Sequence, residues 1–413
     1  MIDQAWRILF VDDEKSVLEG LERMIFAMGP DWEAEFAQTG EEALEMLEED
    51  DYDVVVSDMR MPGMDGVKLL SKVQKLHPDV VRIVLSGHSD REMVLKTVRP
   101  AHQFLSKPCT PRRLREVVDS ALGLRQIRMN KQIRRIISRI ETLPSLPELY
   151  MKVSDELDKD EPSLQQVGAI ISEDMGMSAS ILKLVNSSFF GFRRRITSPQ
   201  QAVNLLGVET IKGVILSAHI FTMFDFEEFP GFSLPKLWNH CMVTARMARA
   251  LAEVELCSRQ TQDECFVAGL LHDVGKLVLA THFQDEYHQI LDTVRTKNYS
   301  IWEAEKQIVG ATHAEIGAYL LGLWGLPLPV VSAIAFHHEP CRVGLAGFSS
   351  LVAVHAANAF EHELYVTDPS MAEHPLDQAC LEKSGLDGRV DDWRRACLEL
   401  AREDDDDAQD PVH

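Results

Sequence analysis

Five polar side chains stand where apolar runs stop. Asp12 and Asp13 follow Ile8-Leu9-Phe10-Val11, and Asp58 follows Val54-Val55-Val56-Ser57. Ser86 follows the run from Val80 to Leu85, and Lys107 follows Gln103-Phe104-Leu105-Ser106. Three carboxylates gathered at one edge repel one another and call for a cation. An all-oxygen ligand set completed by water suits Mg²⁺. Such an ion neutralises the oxygens of an incoming phosphoryl group. Asp58 can then act as a carboxylate nucleophile and form an acyl phosphate. Lys107 offers a point charge for a phosphate oxygen, and Ser86 a hydroxyl donor. Any one of these residues is ordinary, since an isolated Asp is more often a cap or a loop residue. The signal is the set, each member after its own run.

A second group is built on histidine. His240 follows Trp238-Asn239, and His272-Asp273 sits in Gly269-Leu270-Leu271-His272-Asp273-Val274-Gly275-Lys276. His313 follows Gly310-Ala311-Thr312, and His337-His338-Glu339 precedes Pro340. Imidazoles and a carboxylate drawn from several segments can hold Zn, Mn or Fe. A lone His in an apolar helix is usually a packed core residue. An adjacent His-Asp followed by Gly-Lys, with histidines before and after it, is a stronger pattern.

The elements that must position these groups differ between the two parts of the chain. Through residue 124, apolar runs of strand length alternate with helical spacing such as Val17, Leu18, Leu21, Met24 and Ile25. Continuous β-branched runs suit strands covered on both faces. The alternation predicts an α/β doubly wound parallel sheet of five strands. Ligands sit at the carboxyl ends of such strands, where the five polar groups fall. Thr39-Gly40-Glu41-Glu42 and Ser89-Asp90-Arg91-Glu92 read as capping boxes, and Thr110-Pro111 as a helix start.

Residues 125–142 read as a helical linker. Ile127, Ile133, Ile136, Ile137 and Ile140 form an apolar stripe beside Arg125, Arg128, Lys131, Arg134 and Arg135. The stripe is read as one side of a homodimer seam, with docking on the chain's own second domain as the alternative. Leu143-Pro144-Ser145-Leu146-Pro147 ends it. From there to residue 362 helix follows helix, among them Trp238 to Val254, Asp263 to Ala280, Ala314 to Trp324 and Pro329 to His337, so the second domain is expected to be all-α. Residues 363–413 form an extension whose Asp404-Asp405-Asp406-Asp407 run is expected to be a disordered, solvated tail. Arg193-Arg194-Arg195 is read as a solvated loop.

The 413-residue chain has a net charge of −23, which argues against a general nucleic-acid or anionic-membrane binder. No signal peptide and no membrane span is read, and a cytoplasmic location is expected. The seven cysteines are scattered without a CxxC pair and are expected to be free thiols. A transcription factor would need a basic recognition helix, and none is evident, so no direct DNA binding is expected.

The first constellation resembles the receiver domain of bacterial two-component response regulators. The resemblance implies Asp58 as phosphoacceptor, with Asp12, Asp13, Asp58 and the Met59 carbonyl around Mg²⁺. It also implies that Ser86 and Lys107 sense the phosphoryl group, and it places Phe104 at the switch-aromatic position. Phe lacks the hydroxyl of the Tyr often found there, so its readout is expected to be steric. Cognate partners would be a histidine kinase or phosphotransfer protein upstream and a signalling protein downstream.

The second part resembles the HD superfamily, and more closely its HDOD output domains. That likeness rests on Thr142 to Pro147, on Leu184-Val185-Asn186-Ser187-Ser188-Phe189-Phe190-Gly191 and on Ile196 to Gly207. It implies a candidate transition-metal site at His240, His272, Asp273, His313, His337, His338 and Asn358. Two departures from the related cyclic di-GMP phosphodiesterases of the HD-GYP type weaken a catalytic reading. Glu339-Pro340-Cys341-Arg342 contains none of their Gly-Tyr-Pro, and the neutral Asn358 stands where an aspartate ligand belongs. The expectation is a structural or ligand-sensing pocket under phosphorylation control, with ligands enough for one metal at His240, His272 and Asp273 but a binding weakened by the loss of the anion at Asn358. A phosphodiesterase acting on a cyclic dinucleotide such as cyclic di-GMP is the alternative.

Overall fold

The computed structural model describes residues 6–29, 32–77, 80–86, most of 103–118 and, with short breaks, 148–409. They fall into two compact units, Met1–Arg139 with Leu320–Leu328, and Ile140–Tyr319 with Pro329–His413.

The first unit is built on five parallel strands: β1 (Trp6–Val11), β2 (Trp32–Ala37), β3 (Val54–Asp58), β4 (Val81–Ser86) and β5 (Gln103–Ser106). Their order in the sheet is β2-β1-β3-β4-β5. Alternate residues of one strand serve opposite layers. Ile8, Phe10, Val54 and Val56 pack with Leu18, Leu21 and Ile25, whereas Leu9, Val11 and Val55 pack with Leu47, Leu69 and Leu70. Val54, Val55 and Val56 are essentially inaccessible. Burial of each such side chain contributes roughly 1.5–3 kcal/mol, which fixes β3 in register and so fixes where Asp58 emerges. Helices Lys15–Met28, Gly40–Glu49 and Gly66–Leu76 complete the described layers.

Thr39 accepts a hydrogen bond from the Glu42 amide, as expected of a cap. The reciprocal arm differs, because the Glu42 carboxylate accepts from the Gln38 amide at 2.7 Å. The Ser89–Glu92 box, the linker stripe and Arg193 to Arg195 lie outside the described residues.

The second unit is helical among the described residues. Seven of its helices carry or border the histidines: Leu234–Val254, Arg259–Leu271, Val274–His282, Ile301–Ile308, His313–Leu323, Leu328–Phe336 and Ser350–Leu364. The sequence periodicity reads Asp263 to Ala280 as one helix, and the structure interrupts it at His272-Asp273. Asp273 leaves helical geometry at φ −101°, ψ 7°, and its carbonyl takes the Lys276 amide in a tight turn. Asp competes with the backbone for hydrogen bonds and favours helix starts over interiors.

Two further expectations are corrected. Asp404 to Asp407 belong to the helix Val390–Gln409 rather than to a disordered tail. That helix is anchored by the fully buried Trp393 and Cys397, and from an anchored base each added residue gains a backbone bond. Cys341 and Cys380 are joined in a disulfide, with Cα atoms 5.4 Å apart, so the cysteines are not all free thiols. The two lie 39 residues apart in sequence, and no local spacing announces such a pair. Among the described residues no single helix is long and apolar enough to cross a membrane.

Candidate functional site

The carboxyl edge of the sheet gathers the first constellation. Asp12 and Asp58 are both buried at the ends of β1 and β3. Lys107 Nζ lies 2.5 Å from Asp12 Oδ2 and also donates to Asp58 Oδ1. Burial opposes the charge on Lys107, but the bonds to Asp12 and Asp58 outweigh it and its pKa is raised. Burial also raises the pKa of Asp12, against the pull of Lys107. Asp58 Oδ2 accepts from the Arg60 amide at 2.7 Å, which leaves the carboxylate held from two sides. Asp13 is exposed beside this pair. The Met59 carbonyl takes the Gly66 amide at 3.1 Å. Ser86 ends β4, and Phe104 pairs with Val84 within β5, but their side chains lie outside the described residues.

The loop after Asp58 returns tightly. A Cβ on Gly66 would stand 2.0 Å from the Asp58 carbonyl oxygen, so only glycine starts that helix so close to the strand end. Asp65 caps the helix by accepting from the Lys68 amide at 2.8 Å.

The histidines converge on Asp273. Its Oδ2 lies 3.4 Å from His240 Nε2 and 3.5 Å from His272 Nε2. Its Oδ1 lies 3.1 Å from His313 Nε2 and 3.9 Å from His337 Nε2. The Nε2 atoms of His240 and His272 face each other at 3.1 Å, and those of His338 and His313 at 3.0 Å. Lone pairs brought this close suit a shared cation. The donors therefore form two groups, His240 with His272 and Asp273, and His313 with His337 and His338. The sequence reading expects one metal position, whereas the donors directly around Asp273 fall into two groups, and His240 also groups with Glu361 and His362.

Hydrogen bonds fix which nitrogen faces inward. His272 Nδ1 is 2.7 Å from the Gly269 carbonyl, and His337 Nδ1 is 2.8 Å from that of Ile334. His313 Nδ1 sits on the fully buried Glu305 carboxylate at 2.7 Å. Each bond assigns the proton to Nδ1 and leaves Nε2 as the ligand atom. Lys276 Nζ holds Asp273 Oδ2 at 2.5 Å. Glu305 has no role in the sequence reading, and Lys276 enters it only as part of the pattern after His272-Asp273. Glu305 lies eight residues before His313, across a turn, where helical spacing gives no signal.

The electrostatics follow from burial. His272 is pushed down to about 3 by burial, and His337 falls well below the usual imidazole range for the same reason. Both are neutral and able to ligate. Burial works against the His240 cation too, but Glu361 and Asp273 raise its pKa to about 9, so a metal ion at Nε2 would displace a proton from it. Asp273 stays ionised: burial opposes its charge, but the Lys276 ammonium beside it draws its pKa well below the usual carboxylate range.

The residues present fit a metal. Asp273 Oδ1, His337 Nε2 and Asn358 Oδ1 are buried without a hydrogen-bond partner. Leaving a buried polar atom unsatisfied costs about 1–3 kcal/mol, which a bound cation at Asp273 and His337 would offset. Asn358 itself is buried in Ser350–Leu364, one turn before Glu361.

Glycines set the helix spacing that makes the convergence possible. A Cβ on Gly275 would stand 2.0 Å from the His313 carbonyl oxygen, and one on Gly269 would stand 2.7 Å from Ala245 Cα. The first crossing sets Asp273 against His313, and the second sets His272 against the helix carrying His240. Gly275→Ala is expected to destabilise the protein by about 1–3 kcal/mol, the usual range for overpacking, and to reduce metal retention. Gly388→Ala, where a Cβ meets nothing within 4 Å, is the control. Thermal unfolding of both variants checks this, and equal midpoints would count against the crossing.

Comparison with known proteins gives the same division. The response regulator receiver domain family matches residues 8–119, and the HDOD domain family matches residues 143–340. An uncharacterized protein from Treponema pallidum is 27% identical over 217 residues, covering 52% of this chain and 41% of that protein. The uncharacterized transcriptional regulatory protein YesN of Bacillus subtilis is 34% identical over 116 residues, covering 26% of this chain and 30% of that protein. The chain thus spans well under half the length of these curated relatives. A solved HDOD domain protein of unknown function from Geobacter sulfurreducens superposes with a TM-score of 0.52 at 23% identity, covering 65% of this chain and 97% of that one, a likeness of fold. With both domain families matched in this order, the chain joins an N-terminal response regulator receiver domain to an HDOD domain.

Proposed function

We propose that phosphorylation of Asp58 controls the HDOD domain, which holds metal and acts by binding a protein or small ligand. The observation that carries this reading is Lys107, whose ammonium reaches both Asp12 and Asp58 at the sheet edge. Its charge stands where an added phosphoryl oxygen would be met. A carboxylate oxygen of Asp58 forms the new bond to phosphorus as the donor's own bond to phosphorus breaks. The donor is a histidine kinase or a phosphotransfer protein. Asp12, Asp13, Asp58 and the Met59 carbonyl would hold Mg²⁺, which supplies charge neutralisation for the transferring group. Ser86 and Lys107 read the product, with Phe104 as a steric reporter.

The output runs through the linker stripe at Ile127, Ile133, Ile136 and Ile140, as self-association or docking. A phosphoryl group shifts only an equilibrium between states that bind it differently. Sedimentation and limited proteolysis with and without a small phosphodonor test this. A changed sedimentation coefficient or cleavage pattern is expected, and no change in either at full phosphorylation would sink the reading.

A second reading is favoured by one specific feature. Asp273 offers one oxygen to each of two histidine groups, an arrangement that suits two ions and phosphoester hydrolysis. Asn358 and the missing GYP segment weigh against cyclic di-GMP as its substrate. Metal-dependent turnover of a cyclic dinucleotide, followed by chromatography and lost in His272→Ala, would promote it.

A further inference from the structure

The four imidazoles nearest Asp273 are held in two ways. His272 and His337 rest on the backbone carbonyls of Gly269 and Ile334. His313 rests on a carboxylate, Glu305. His240 completes the pattern: its Nδ1 lies 2.8 Å from Glu361 Oε2, while its Nε2 faces His272 and Asp273. Each group therefore contains one backbone-held and one carboxylate-held histidine.

Glu361 is buried, at 4% exposure, and sits three residues after Asn358 in Ser350–Leu364. Residues three apart share a helix face. The same stretch thus presents a neutral amide at one position and an anion one turn later. His362 adds a third donor near Glu361, with its Nδ1 3.8 Å from Glu361 Oε2.

We propose that Glu361 is the positioning residue that makes up for Asn358: its carboxylate accepts a hydrogen bond from the Nδ1–H of His240 and so presents Nε2 to a cation shared with His272 and Asp273. A buried carboxylate behind a ligating imidazole fixes the ring and raises its basicity. It also returns to the centre the negative charge that Asn358 cannot carry. Asn358 then marks a relocation of charge by one helical turn rather than a lost site. This rests on the reading of the centre as a metal site.

The test is Mn²⁺ binding to the full chain by titration calorimetry, with the absorption spectrum of the Co²⁺-loaded protein as a second readout. Glu361→Gln keeps the shape and removes the charge. It is expected to weaken one of two Mn²⁺ sites by roughly 10–100-fold, the range for such outer partners, and to alter the Co²⁺ spectrum. Adding Asn358→Asp to Glu361→Gln is expected to restore most of that affinity. Asn358→Asp in the otherwise unchanged chain is expected to gain less than about threefold, because the charge is already supplied; this arm holds even if Glu361→Gln fails to fold. Parent-like binding in Glu361→Gln, or a gain of tenfold or more in Asn358→Asp alone, would overturn the role of Glu361 and leave the metal reading standing. A parent chain that binds no Mn²⁺ would overturn both.

Discussion

Asp58→Asn is expected to abolish phosphoryl uptake. Incubated with a small phosphodonor and Mg²⁺, the parent chain gains one phosphoryl group by intact mass, and the variant gains none. Asp58 ends β3 with its carboxylate held by Lys107 and by the Arg60 amide. Asn is nearly isosteric and keeps the hydrogen-bonding shape while removing the nucleophilic oxygen. The fold therefore survives, and the loss is chemical. A variant that takes up phosphate as readily as the parent would move the acceptor elsewhere.

Asp273→Asn is expected to have two large effects at once. The first is on metal: the residue offers an oxygen to each histidine group, so losing its charge weakens both. Outer-partner loss alone weakens such sites by about 10–100-fold, and loss of a shared ligand exceeds that. The second is on stability. Lys276 is buried against Asp273, and its cation would be left without its counter-charge. Breaking a buried pair from one side costs about 3–5 kcal/mol. Urea unfolding and metal content by mass spectrometry separate the effects. Lys276→Met in the Asp273→Asn background should recover much of the stability and none of the metal. A variant with parent-like metal content would show that Asp273 is only a structural anion.

What could be read from the sequence was what is local. The aspartates at the sheet edge announce themselves because each closes a run of strand length, and burial of Val54 to Val56 fixes the register behind Asp58. The His-Asp pair stands out by adjacency. What could not be read depends on contacts between distant segments. Glu305 behind His313 and Glu361 behind His240 each act from a different helix than the imidazole they hold. Glu361 did carry a faint signal, since it lies one turn from Asn358 on a helix. The break at His272-Asp273 was hidden because the apolar pattern runs on through it, from Phe266 to Leu279. There the cost of an interrupted helix is offset by the Asp273 contacts that the break makes possible. The pairing of groups around the two Asp273 oxygens is a property of helix spacing, set by Gly269 and Gly275, and no composition reveals it.

The central claim is that the state of Asp58 governs the HDOD domain. Hydrogen–deuterium exchange of the full chain, with and without phosphodonor and Mg²⁺, tests it most directly, in the parent and in Asp58→Asn. The account predicts that exchange within residues 143–340 changes on phosphorylation of the parent and stays fixed in the variant. Full phosphorylation of Asp58 by intact mass, with exchange across residues 143–340 unchanged, would contradict it.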